Sequence, residues 1–181
     1  HLGDRLDFHI ITSDRDYTAT INEAGVPADH WVRSDAGEMV QYASPAAHTV
    51  ANWRALLHAR PWDVVYINGL FSRWSTIVPL WLLRGSEQRR IVAVRGMLAT
   101  GPMQQGAFKK RMFLFLMKAM GCFKKVEFQA TNAEEVGDIR RWIGADVTIH
   151  LVQNLARKAS AQLPPSIKKE IGMLTLVSLA R

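Results

Sequence analysis

The chain has 181 residues, of which 48% are hydrophobic and 22% charged, and its 23 Lys and Arg against 16 Asp and Glu leave a net charge of +7. This composition excludes a disordered or collagen-like chain and allows one domain whose core buries roughly 70% of the unfolded surface. The single cysteine, Cys122, excludes an internal disulfide and every multi-cysteine metal site, and fits a reducing compartment.

In chain order, residues 1–4 (HLGD) read as a helix tail, because Gly3 sits where a helix ends. A helix tail feeding a strand implies an earlier βα unit ahead of it. Residues 7–12 (DFHIIT) predict a buried strand, 17–30 a loop with Gly25 and Pro27, and 31–32 and 38–42 short strands. Ser44 and Pro45 predict a cap and first-turn proline for a helix over 46–59, followed by a break at Pro61. A wholly apolar strand is expected at 64–67, a helix at 71–83 despite Pro79, and a strand at 90–94. A loop with Gly96, Gly101, Pro102 and Gly106 leads to a helix at 107–120, with Gly121 as its C-terminal cap. A strand at 126–130 follows. Thr131 and Glu134 then predict a capping box for a helix to Trp142, and a last regular strand falls at 147–152.

Strands alternating with helices predict an α/β fold: an open, mainly parallel Rossmann-like sheet with helices on both faces. Residues 157–172, with Pro164 and Pro165, read as a linker, and 173–179 as the first strand of a second domain. The apolar runs at 75–83 and 112–117 fall short of the ~18–20 residues that span a bilayer. No charged-then-apolar leader opens the sequence, so a cytoplasmic location is expected.

Ligands of open parallel sheets bind outside the carboxyl ends of the strands. Four such ends are Asn68-Gly69, Arg95-Gly96, Thr131-Asn132 and Asn154. Gly69 and Gly96 permit close approach to the backbone, and Arg95 can present a planar charged fork to a phosphate or carboxylate. The same residues can equally be turn glycines and an arginine that neutralises a neighbouring acid. Gly96 and Gly101 have the spacing of a phosphate-binding loop, but Pro102 stands in place of its lysine. The six histidines lack metal-ligand spacing. His9 and His150 read as packed or edge residues, His48 and His58 as exposed positions on one helix, and Cys122 as a packing residue whose pKa the nearby lysines can lower.

No acidic residue lies between Glu87 and Glu127, a stretch holding Arg89, Arg90, Arg95, Lys109, Lys110, Arg111, Lys118, Lys124 and Lys125. The positive field is therefore local. The helix at 107–120 carries more apolar surface than one sheet-facing stripe needs. Lys109, Lys110, Arg111, Phe115 and Lys118 are candidates to face an anionic membrane, with a neighbouring helix or domain as the other way to cover that surface.

The segments DVVYINGLFSRWSTIVPLWLL, IVAVRGMLATGPMQQ, FKKRMFLFLMKAMG and FQATNAEEVGDIRRWIGADVTIHLVQNLA together resemble the N-terminal half of group 1 (family 4) glycosyltransferases. The likeness covers about residues 63–156, with HIITSDRD and the closing MLTLVSLAR as further points of similarity. It implies a two-domain GT-B fold, in which 1–156 form an acceptor-side Rossmann-like domain lacking its first βα unit. Residues 173–181 would then open a donor-binding domain that continues beyond Arg181.

The resemblance implies retaining, metal-independent transfer from a nucleotide sugar to a polysaccharide or lipid-linked acceptor, in the service of cell-envelope polysaccharide synthesis. The donor would bind the C-terminal domain, so no cofactor is expected here and the 181 residues alone are expected to be inactive. Carried onto this sequence, it makes Arg95 a candidate catalytic residue. Asn68, Gly69, Arg73, Gly96, Met97, Thr131, Asn132, Glu134 and Asn154 become candidate acceptor contacts. Val94, Asn132 and Gln153 depart from the proline, serine and proline frequent at those places in the family. The expected partners are the C-terminal domain, the saccharide acceptor and the inner face of a membrane, without nucleic acid. Two other classes stay open on the residues themselves: a non-catalytic module that binds a phosphorylated ligand at the same rim, and a nucleic-acid-binding domain drawn from the +7 charge.

Overall fold

The computed structural model describes residues 6–15, 27–35 and 37–154. The helix tail at 1–4, most of the loop at 17–30, the linker and the closing strand lie outside the described residues.

Among the described residues, seven strands and five helices follow in the order β1 (His9–Ser13), β2 (Trp31–Arg33), β3 (Met39–Ala43), α1 (Val50–His58), β4 (Val64–Asn68), α2 (Val78–Leu82), β5 (Arg89–Ala93), α3 (Thr100–Gln104), α4 (Ala107–Ala119), β6 (Val126–Ala130), α5 (Ala133–Trp142) and β7 (Ile149–Leu151). They build two sheets. One has the order β1-β3-β2, with β1 parallel and β2 antiparallel to β3. The other has the order β4-β5-β6-β7 and is parallel throughout. Arg60 joins the two by an ion pair with Asp7 at 3.0 Å, and the Trp62 ring meets His9 edge-on at 5.1 Å.

The β4–β7 sheet is where helical crossovers fix the architecture. Each strand lies beside its predecessor and the order never reverses, so right-handed crossovers bring every connecting helix to the same face. That face carries Ile67, Val92, Val94, Phe128 and Ala130, packed on Leu80, Leu114, Met117 and Ile139 from the helices. The opposite face presents Val64, Tyr66, Arg89, Glu127, Gln129 and His150, and all of these are exposed or half-buried. The expected cover on both faces is thus corrected for the described residues, since helices reach a second face only where the strand order turns back.

Several local expectations are corrected too. β1 is partly exposed and, among the described residues, pairs only with β3 at the edge of its sheet. Ser44 caps a short 3-10 turn at Pro45–Ala47, and Thr49 caps α1 afresh by accepting from Asn52 N. Before α2 the backbone widens into a π turn at Arg73–Ile77. Pro79 has no N–H to continue the ordinary ladder, and Ile77 N reaches back to Ser72 O at 2.9 Å instead. The loop before α4 contains α3, where Gly101 and Pro102 occupy the first turn and no amide partner is required of them. The α5 cap falls one residue later than expected: Asn132 accepts from Glu135 N at 2.8 Å, and Glu134 takes no part.

Other elements form where the residues put them. Gly121 ends α4 at φ +71, its N–H reaching Lys118 O and the next N–H, of Cys122, reaching Met117 O, both at 2.9 Å. This paired closure needs the left-handed backbone that glycine adopts freely. It also seats Cys122 fully inside the core.

Candidate functional site

The carboxyl ends of β4, β5 and β6 and Asn154, three residues past β7, share one rim. Arg95, just past β5, is the hub. Its backbone is left-handed at φ +54, a conformation that costs an ordinary residue about 1 kcal/mol. From that position its fork reaches three side chains, two on β4 and one beyond β7. Nε donates to Asn68 Oδ1 at 2.8 Å, Nη2 to Tyr66 Oη at 3.2 Å, and Nη1 to Asn154 Oδ1. Tyr66 Oη in turn donates to Gln129 Oε1, whose Nε2 reaches Val152 O at 3.1 Å. Among the described residues the guanidinium touches only neutral acceptors, and it stays exposed with its positive charge unneutralised by these partners.

A second knot lies beneath it. Glu135 is buried, and its carboxylate accepts from Gly96 N, from Thr131 N at 2.6 Å and from Thr131 Oγ1 at 2.9 Å. One side chain on α5 therefore ties the turns after β5 and β6. Gly69, at φ +98, brings the β4 turn onto Met97, whose Sδ accepts from Leu70 N at 3.2 Å.

Of the residues named from sequence, Asn68, Arg95 and Asn154 meet directly, and Gly96 and Thr131 meet through Glu135. Met97 packs beneath the rim. Asn132 uses its side-chain oxygen as a cap, and Glu134 is exposed on the first turn of α5. Arg73 points elsewhere, over the Trp74 ring at 5.0 Å. Tyr66, Gln129 and Glu135 were missed. The signal for Tyr66 was its two-residue spacing from Asn68, which puts both on one face of β4.

Several other charged side chains pair away from the rim. Arg89 forms a forked pair with Glu127 at 2.6 and 2.7 Å, and His150 approaches the same carboxylate. Arg89 first, then His150, hold the Glu127 carboxyl down at about 2. Lys125 meets Glu87 at 2.8 Å. Arg90 is buried, donates to Leu83 O and Lys124 O at 2.9 and 3.0 Å, and has its pKa lowered by that burial. The stretch with nine basic residues between Glu87 and Glu127 is therefore not one continuous field. Cys122 is the packing residue its position suggested, and burial pushes its thiol up against the weaker pull of Arg84 and Arg90, so the nearby lysines do not lower it. His48 lies outside α1 and stacks on Trp74 at 5.6 Å, half-buried rather than exposed. An open concavity lined by Phe123, Lys125, Glu127 and Asp146 sits at the amino ends of β6 and β7, away from the rim. Among the described residues no three His, Cys, Asp or Glu side chains converge as a cation cage.

Chemically, the rim offers one exposed guanidinium, two asparagine side chains and a phenol on a rigid floor. That is a hydrogen-bonding surface suited to a hydroxyl-rich or singly anionic ligand. Comparison of the chain with protein-family models, curated proteins and solved structures finds no match in any of the three.

Proposed function

We propose that this chain is the acceptor-side domain of a retaining glycosyltransferase of GT-B architecture, acting on the cytoplasmic side. The sugar would pass from a nucleotide-sugar donor on a partner domain to a polysaccharide or lipid-linked acceptor. The observation that carries this reading is the fork of Arg95, spread by Asn68, Tyr66 and Asn154 at the carboxyl ends of parallel strands. Sugar hydroxyls pair with asparagine, phenol and guanidinium groups in such a setting. A fixed positive charge beside the acceptor also stabilises the departing diphosphate as transfer proceeds. The donor's own contacts would belong to the second domain, so the 181 residues alone would bind acceptor without transferring sugar.

A phosphate-binding module is the second reading, and the placement of Glu135 weighs against it. The amides of Gly96 and Thr131, which a phosphate would need, already serve a buried carboxylate.

The test is binding of the chain to an array of immobilised oligosaccharides and polyprenyl-linked sugars, with inorganic phosphate as competitor. Binding of a saccharide that weakens at least about tenfold in Arg95→Ala, with the melting temperature unchanged, is the expected result. Saccharide binding indifferent to Arg95→Ala, or sugar transfer by this chain alone, would overturn the proposal.

A further inference from the structure

Helix α4 buries Leu114 and Met117 against the sheet. At 100° per residue, Phe108, Met112, Phe115 and Leu116 fall within an arc of about 100° on the opposite side. The structure leaves that stripe open: Phe108 is 76% exposed, Phe115 66%, Leu116 48% and Met112 43%. A helix that only covers a sheet has no use for a second apolar stripe facing water.

Charge borders the stripe on both sides. Lys109 lies along one edge, and Arg111 and Lys118 along the other, by the same 100° geometry. Arg111 keeps its guanidinium over the Trp142 ring at 5.5 Å, so its charge stays beside the stripe. Lys110 faces inward instead, over the Phe71 ring at 5.3 Å with Nζ donating to Pro102 O, which removes it from the surface set. No acidic residue interrupts the sequence between Glu87 and Glu127.

We infer that the outer face of α4 is a docking surface for an anionic lipid bilayer, with Phe108, Met112, Phe115 and Leu116 in the acyl boundary and Lys109, Arg111 and Lys118 at the headgroups. The partner is specified by complementarity. Large apolar side chains flanked by cations match an interface whose interior is apolar and whose rim is negative. A neutral protein groove would match the stripe and leave the flanking cations without a role. No helix among the described residues is long and apolar enough to cross a membrane, so the contact is a helix lying in the interface plane. This inference stands apart from the glycosyltransferase reading and survives its failure.

The experiment is co-sedimentation of the full chain with vesicles of neutral phosphatidylcholine, or the same lipid with 30 mol% phosphatidylglycerol, beside a light-scattering mass measurement without lipid. Partitioning at least tenfold stronger on the anionic vesicles is expected. It should fall at least tenfold in Phe108→Ser/Phe115→Ser and in Lys109→Glu/Lys118→Glu. All four positions are exposed, and unchanged circular dichroism and melting would verify the fold. Equal partitioning on both vesicles, none on either, or anionic binding untouched by the Phe pair would overturn the inference. So would a dimer that the Phe pair dissociates in the absence of any vesicle binding, which would assign the stripe to a second copy.

Discussion

The carboxylate of Glu135 accepts the amide of Gly96, 39 residues earlier in the chain, while its other oxygen holds Thr131. Two turns on adjacent strands are thereby fixed relative to each other by one buried group. Glu135→Ala leaves the Gly96 and Thr131 amides without their acceptor and is expected to cost about 2–3 kcal/mol in chemical denaturation. Glu135→Gln keeps the shape but turns one of the two accepting oxygens into a donor that faces an amide N–H, and should cost a comparable amount. A loss below about 0.5 kcal/mol in both would show that the rim does not depend on this knot.

Gly69 is held at φ +98, and a Cβ added there would meet Met97 Cε at 3.2 Å. Gly69→Ala is expected to destabilise by about 1–2 kcal/mol, from backbone strain and from the contact together. The methionine tip can shift, so Met97→Ala should recover only the contact share. Recovery of the whole loss in the double variant would assign the penalty to crowding alone.

Arg95 separates stability from recognition. Arg95→Gly removes the fork and frees the left-handed backbone, whereas Arg95→Ala removes the fork and keeps the strain. The glycine variant should therefore be more stable than the alanine variant by up to about 1 kcal/mol. Both should lose saccharide binding alike. A thermal melt ranking alanine above glycine would mean that φ +54 carries no strain.

Acid should expose the Arg89–Glu127–His150 cluster. The Glu127 carboxyl has an ordinary value of 4.5 and is held at about 2 in the folded chain, through Arg89 first and His150 next. Because the folded value is the lower one, its stabilising share is complete above about pH 4.5 and drains away as the pH falls toward 2. The stability gap between wild type and Glu127→Gln should thus be open at pH 6 and closed near pH 2. A gap constant across that window would remove the pairing as its cause.

The parts legible in sequence were those that local chemistry alone decides. β4 announced itself as a β-branched apolar run ended by Asn68 and Gly69, and Gly121 marked the end of α4 because few residues other than glycine accept its backbone. The α5 cap slipped by one residue because Thr131 and Asn132 are both cap-formers and Glu134 and Glu135 both suit the first turn. Only the burial of Glu135 against the neighbouring strand selects between them, and that is a tertiary fact.

Burial was read less well than secondary structure. Arg90 heads the expected strand as a charged residue, yet it is buried and its two terminal nitrogens are taken by the carbonyls of Leu83 and Lys124, far apart in the chain. The one-sided placement of the helices was illegible for a similar reason, because it depends on strand order rather than on any residue. At the rim, Asn68, Arg95 and Asn154 could be named from strand ends. Tyr66 was readable from its two-residue spacing from Asn68, whereas Gln129 required the register that pairs Asn68 with Ala93 and Ala93 with Gln129.

The turn at Gly121 that locks Cys122 inside the core has a practical use. The chain holds one thiol, fully shielded and made harder to ionise by its surroundings. A colourless protein thus carries its own clock. Under native conditions an aromatic disulfide reagent can react only when the packing between α4 and β6 parts, and the pace of colour release counts those openings without any engineered label.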